Sequence, residues 1–433
     1  MAALEKAKQA GADLADVSAS AGSSRQVEIK DNKISAVTAH QAREVTIRAV
    51  VGRKVGFYRL HSLAEDDVRT GAVRAVEIAG SSEPDPDFHD LPHPEKAVGF
   101  PKGLFDPAVE NLDLATLRTW ALDNISSATD NVAGVRISGV TGAYLSRGVI
   151  VNTNGVSVFE EGTIITLDFF AVIRRKDDAG SYFSFSEARD LAGVSPEGVA
   201  LKAARQAEGF LGAQDITTGK YTVILAPLAS YDFLRRIAHA ANAEEHQRKR
   251  SFFSGRVGEA VMPEFMNITD DPLVDKGIYS SPFDGEGAAR KKVEVISGGK
   301  LTGLLHSSYT AGKAGAENNG HGGRSGSVHP TNLVPSLGTR NHKEILSGVE
   351  DGVILLAGSI DPDPITGEVS SLLDFAMKIE KGQVVYPLRN VTAADKILPV
   401  LGNIAEVSAD YEELPGNPMP YMLIDDVNLV GAA

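Results

Sequence analysis

Residues 221–263 read YTVILAPLASYDFLRRIAHAANAEEHQRKRSFFSGRVGEAVMP. The opening YTVILAPL is a short apolar, β-branched run, which predicts a buried strand feeding directly into a helix. On a 3.6-residue helix over residues 233–248, Phe233, Leu234, Ile237, Ala238 and Ala241 form one stripe suited to packing on a sheet. Arg235, His239, Asn242 and His246 form a neighbouring polar stripe at spacings of four, three and four. Downstream, KVEVIS, LTGLLHSSY, GVILLAGS, SSLLDFAMKIEKGQVVY and MLIDDVNLV alternate strand-like runs with glycine-rich loops. Short strands with few helices predict a β-rich second half.

The polar stripe invites a metal, and helix geometry argues against one. His239 and His246 stand seven residues apart, about 10.5 Å along an axis that rises 1.5 Å per residue. Zinc–nitrogen bonds of about 2.0–2.1 Å do not let both imidazoles share one ion. Three and four residues after His239 stand Asn242 and Ala243, poor zinc ligands, and no HExxH occurs. On the helix alone, both histidines read as ordinary polar-face residues.

Upstream, residues 3–10 suggest a short helix. VEIKDNKI (27–34) and EVTIRAVVGRKVGFYRL (44–60) read as antiparallel strands with hairpins at Asp31-Asn32 and Gly52-Arg53. Residues 62–79 have a serine start, early acids and helical spacing. The prolines of SSEPDPDFHDLPHPEKAVGFPKGLFDP (81–107) predict an extended surface connector. Residues 112–125 read as a helix, 135–173 as strands turning at Asn154-Gly155, and 195–211 as a helix with Pro196 in its first turn. Composition turns small and polar over GAQDITTGK (212–220). The expected fold class is α+β in two domains: an antiparallel-sheet α/β domain over residues 1–215 and a β-rich domain over 216–433.

Composition narrows the functions. The chain of 433 residues is 42% hydrophobic and 23% charged, ordinary for a globular protein. No apolar run approaches the roughly 20 residues that span a bilayer, and the charged start MAALEKAKQAGADLADV does not read as a signal peptide. Zero cysteines exclude disulfides and thiolate ligands, and the expected compartment is the cytoplasm. A net charge of −14 opposes nonspecific nucleic-acid binding, and Arg248-Lys249-Arg250 reads as a solvated face.

A resemblance adds to this. SFFSGRVGEAVMPEFMNITDDP (251–272), SSPFDGEGAARKKVEVISGGKLTGLLHSSYTAGKAG (280–315) and NNGHGGRSG (318–326) resemble the TldD/PmbA family. PLRNVTAADKILPVLGNIAEV (387–407), LIDDVNLVGAA (423–433), VGRKVGFYRL (51–60) and VIVNTNGVSVFEEGT (149–163) continue the match, so it covers most of the chain. The family implies two kinds of subunit. A TldD-like one resembles a zinc metallopeptidase with an HExxxH helix and a C-terminal cysteine ligand. A TldE/PmbA-like one lacks these groups and partners the first in a heterodimer that processes or degrades unfolded peptides.

Counting back from FSGRVGE, the family's HExxxH falls on LRRIAH, residues 234–239. His239 matches the second histidine, Leu234 stands for the first and Arg235 for the glutamate. Leucine has no lone pair for zinc, and a guanidinium cannot take a proton from an attacking water. The resemblance therefore implies a TldE/PmbA-like subunit with no metal or other cofactor of its own and zinc in a TldD-like partner. Two alternatives stand beside it. One is an active metallopeptidase with a divergent set such as His239, His321 or His329, and Asp410; the other is a peptide-binding homodimer. No membrane partner is expected, and the family's label of gyrase modulation finds no support in an acidic chain.

GHGGRSG (320–326) lacks the GxxxxGK[ST] pattern of a phosphate loop. With the family in view it reads as a mobile loop lining a groove, where His321, Arg324 and His329, with His239 and Asn242, would contact peptide or partner. NITDDP (267–272) and DPDPITGEV (361–369) lack EF-hand spacing and read as turns. Glu160-Glu161 and Glu244-Glu245 offer carboxylates with nothing to place them at a reacting bond, and no GxSxG elbow occurs.

Overall fold

A computed structural model describes residues 1–431 except 325. Residue 325 of the glycine-rich loop and residues 432–433 of the terminal motif lie outside the described residues. The fold is α+β, with an antiparallel sheet in the first half and a β-rich second half.

Residues of the first half form α1 (Ala2–Gln9), β1 (Leu14–Lys30), β2 (Lys33–Val51), β3 (Lys54–Leu60), α2 (Glu65–Ser81), α3 (Pro107–Glu110), α4 (Leu114–Asn131), β4 (Arg136–Asn152), β5 (Ser157–Arg175), β6 (Asp178–Ala188) and α5 (Val199–Gly209). The strands make one antiparallel sheet in the order β3-β2-β1-β4-β5-β6. Alternation puts Val17, Val45, Ile47 and Ala49 on one face, beneath Leu4 of α1 and Ala72, Ala75 and Val76 of α2. Farther along, Ile137, Ile165, Leu167, Phe169 and Ile173 pack against α4 and α5. Gly56 permits the close contact of β3 with α2: a Cβ there would lie 2.3 Å from the Ala75 oxygen.

The cross-strand trio Asp16, Arg48 and Phe57 points the other way. Arg48 bonds Asp16 at 2.5 Å and Glu286 at 3.2 Å, and Arg324 pairs with Asp16. Four buried or largely buried charges thus lock the first sheet to the second half.

That half runs β7 (Gly219–Leu225), α6 (Pro227–Ala240), α7 (Ala243–Gln247), β8 (Ile268–Asp270), β9 (Val293–Ser297), β10 (Lys300–Leu301), α8 (Ser308–Ala314), β11 (Leu333–Pro335), α9 (His342–Ser347), β12 (Asp351–Leu355), β13 (Glu368–Leu372), β14 (Ala376–Glu380), β15 (Gln383–Pro387), β16 (Thr392–Lys396), α10 (Ile397–Gly402), β17 (Ile404–Leu414) and β18 (Asn417–Val430). The large sheet is ordered β13-β16-β18-β7-β12-β14-β15, with β17 paired to β18, and β10-β9-β8-β11 form a smaller one. β7 lies parallel to β12 and antiparallel to β18, so it is flanked on both sides and its Val223 and Leu225 are fully buried. Two residues later Pro227 opens α6, and the apolar stripe Phe233, Leu234, Ile237, Ala238 and Ala241 joins the core over this sheet.

Four local expectations are corrected. The helix predicted over 233–248 breaks at Ala241: Asn242 leaves helical geometry and caps α7 by accepting from Glu244 N at 2.8 Å. The helix predicted over 195–211 starts at Val199, because Gly198 takes a left-handed conformation with φ 75° and leaves Pro196 outside. Residues of NITDDP form β8 rather than a simple turn, with Asp270 fully buried. The connector over 81–107 carries no long element, yet buried Phe88 and Leu91 pin part of it onto Val50. Among the described residues no helix is long and apolar enough to cross a membrane.

Candidate functional site

The C-terminal end of α6 opens into a cleft of about 630 Å³. His239, Asn242 and His329 line it together with Arg236 and Ser327. Of the sequence-derived candidates, these three are brought together. His239 is half-buried and Asn242 nearly sealed: its Nδ2 donates to the Val328 carbonyl at 3.0 Å while its Oδ1 caps α7. His329 is exposed, with Nε2 at 2.9 Å from Ser327 Oγ.

His321 and Arg324 are placed elsewhere. His321 is almost fully buried; its Nε2 lies 2.9 Å from Asp270 Oδ1 and its Nδ1 3.0 Å from Asn319. Thr331 bonds both Asp270 oxygens, so the carboxylate is wholly occupied. Arg324 Nη2 donates to Thr46 O at 2.8 Å and pairs with Asp16. Neither side chain faces the cleft as a free contact for peptide. The described part of the loop is tied down at His321 through Asp270 and at Arg324 through Asp16 and Thr46.

The positions that the family resemblance assigns to metal chemistry have other occupations. Leu234 is 0% exposed within the core cluster. Five residues correspond to about 140° around a helix of 3.6 residues per turn, so Leu234 and His239 face different directions. The Arg235 guanidinium lies 5.6 Å from the Tyr231 ring centroid and 5.1 Å from that of Tyr279, and bonds Tyr231 Oη at 3.3 Å. A cation held over two aromatic faces is well placed and is no proton acceptor.

Charge in the cleft is settled by internal pairs. Arg236 bonds Asp361 at 2.7 Å, Arg250 bonds Glu245 at 3.2 Å and Arg248 bonds Glu244 at 2.7 Å. Burial, with Arg235, His329 and Arg236 nearby, lowers the His239 pKa from 6.5 to about 4, so the ring is neutral at neutral pH. Burial raises Asp232 to about 6, with Asp361 adding to the rise. His246 sits on the separate α7, its pKa lowered by burial and its Nε2 buried without a partner among the described residues.

The divergent ligand set is not assembled. Asp410 accepts from both the backbone N–H and the ring of His342, and His321 is committed to Asp270. Among the described residues no three His, Cys, Asp or Glu side chains gather closely enough to hold a metal ion. The residues present do not fit a zinc centre.

Sequence reasoning missed Asp270, Asn319 and Asp16, the anchors of the glycine-rich loop. Their partners lie 51, 2 and 308 residues away; only the Asn319 contact is local, and NNGH carries no pattern that announces it. Glu160 and Glu161 likewise turn out to be internal partners, of Ser281 and Arg147.

Residues 218–431 match a model described as the PmbA/TldA metallopeptidase C-terminal domain, 106–211 its central domain and 15–79 its domain 1. The chain is 28% identical to an uncharacterised protein of Methanocaldococcus jannaschii over 84% of its own length and 82% of that protein's. It is 24% identical to the metalloprotease PmbA of Escherichia coli O157:H7, covering 82% and 79%. The structure superposes on TldE from Thermococcus kodakarensis with TM-score 0.89 at 20% identity, covering 99% of both chains.

Proposed function

We propose, for a chain that belongs to the PmbA/TldD metallopeptidase family, the role of a TldE/PmbA-like subunit that binds extended peptide and leaves zinc chemistry to a TldD-like partner in the cytoplasm. One observation carries this reading. Where a ligand and a general base would stand, Leu234 is sealed in the core and Arg235 is held over Tyr231 and Tyr279.

Metal-assisted hydrolysis needs several donors converging on one ion and a base for its water. Among the described residues His239 has neither companion donor nor base. What the cleft offers instead is the neutral imidazole of His239 at its wall and the ring of His329 at its rim. Either can donate to or accept from a peptide backbone whatever the side chains, which suits substrates of varied sequence.

Metal analysis of the protein purified without chelator, with and without a co-expressed TldD-like subunit, tests the reading. The expected result is far less than about one zinc per chain for the protein alone, no peptide hydrolysis by it, and a stable complex with the partner that hydrolyses peptide. About one zinc per chain, lost together with chelator-sensitive hydrolysis in His239→Ala, would overturn it.

A further inference from the structure

A second cleft, of similar size to the first, lies away from His239. It holds about 640 Å³ between β6 of the first sheet and the β17–β18 turn of the second half. We propose that this cleft binds an extended, cationic polypeptide segment, which adds to the free edge of β6 as a seventh strand.

Sheet order puts β6 at the edge, bonded to β5 alone. Every residue from Tyr182 to Ala188 lines the cleft. Successive strand residues point to opposite faces, so a wall built from an unbroken run of them is presented edge-on, with its backbone N–H and C=O groups toward the space. Native proteins blunt such edges with proline, lysine or bulges, because an open edge recruits other strands. The sequence SYFSFSEA (181–188) has none of these, and its pairing with β5 runs in register without a bulge. This edge is shielded from a second sheet only by lying inside a cleft. The seven residues span roughly 23 Å, enough for a short added strand.

Charge selects the occupant. Glu187 and Glu412 line the cleft from its two walls, and among the described residues neither side chain makes an ion pair or hydrogen bond. The lining carries five carboxylates against three cations, Arg189, Lys202 and Lys276, and Lys276 is already paired with Asp190 at 2.7 Å. Burial, with Asp168 nearby, raises the Glu187 pKa against the opposing pull of Arg189. Leu228, Leu356 and Tyr421 supply apolar surface for alternate side chains. Main-chain bonding to an edge with pockets for every second residue is strand addition, and lysines or arginines on the guest would answer the two acids. This site differs from the His239 cleft and does not depend on a metallopeptidase partner.

Fluorescence anisotropy of the full chain with a labelled probe of about eight residues alternating lysine with valine or threonine tests the proposal. Saturable binding is expected, weakened roughly tenfold by the double variant Glu187→Gln/Glu412→Gln and by raising salt from about 50 to 500 mM. A probe N-methylated on alternate amides should lose binding on the edge that pairs, and a probe with glutamate for lysine should not bind. No saturable binding by the wild type would overturn the site. So would binding unchanged in the double variant, or binding abolished instead by His329→Ala, which would assign the peptide to the other cleft.

Discussion

Asn242 Nδ2 donates to the carbonyl oxygen of Val328 at 3.0 Å, so one side chain ties the break after α6 to the loop that carries His321 and His329. The same side chain caps α7 through Glu244 N. Asn242→Ala removes a cap worth about 1 kcal/mol and strands a carbonyl with a desolvation cost of about 1–3 kcal/mol. The expected outcome is a loss of about 2–4 kcal/mol in urea unfolding, with faster amide exchange confined to α7 and residues near Val328. A variant as stable as the parent would contradict the assigned bonds.

How far this was legible in the sequence depends on the range of each interaction. The β-branched runs around residues 44–60 and 135–173 announced the first sheet, because alternation and turn residues are local signals. The apolar stripe of α6 was equally plain, and all five of its residues entered the core. The helix break at Ala241 was not, since it comes without glycine or proline and depends on Asn242 finding Val328 86 residues away. The partners of His321 and Arg324 were hidden for the same reason: a histidine in a glycine-rich loop looks free until Asp270 is placed against it.

Leu234→His with Arg235→Glu would restore the letters of HExxxH without restoring a metal site. The new imidazole would enter a core position with 0% exposure, where an unpartnered polar group costs a few kcal/mol, about 1–3 by mutational scales. Losing Arg235 would also forfeit stacking on Tyr231 and Tyr279, about 0.5–1 kcal/mol for each ring. Calorimetry should show a lower unfolding temperature and zinc titration no tight uptake. Tight one-to-one zinc binding by this double variant would show that residues 234 and 239 can converge.

His239 ties stability to pH in a definite direction. Above pH 6.5 its ring is neutral in both the folded and unfolded chain. Between 6.5 and about 4 the unfolded chain takes a proton that the folded one refuses, so stability falls with pH and the contribution is gone below about 4. His246 and His306 are lowered by burial and act in the same sense. His239→Gln should therefore flatten, without abolishing, the decline in stability from pH 6.5 to 4. In proton NMR the His239 ring should titrate with a midpoint near 4; a midpoint near 6.5 would contradict its burial among Arg235, Arg236 and His329.

Arg48 holds the two halves together through charge that has no water to fall back on. Burial works against its guanidinium, but Asp16 and Glu286 more than offset this and hold the pKa above its ordinary value. Glu286 also accepts from Ser308 N at 2.9 Å and Ser308 Oγ at 2.6 Å, and Asp16 keeps Arg324. Arg48→Met would leave Glu286 as a buried anion with only neutral donors, a loss of about 3–5 kcal/mol. Neutralising that anion should recover part of the loss, because the two sites share one interaction. The double variant Arg48→Met/Glu286→Gln is expected to be more stable than the sum of its single changes by about 0.5–3 kcal/mol in urea unfolding. Strict additivity would mean that the interaction seen between β2 and the second half does not bear on stability.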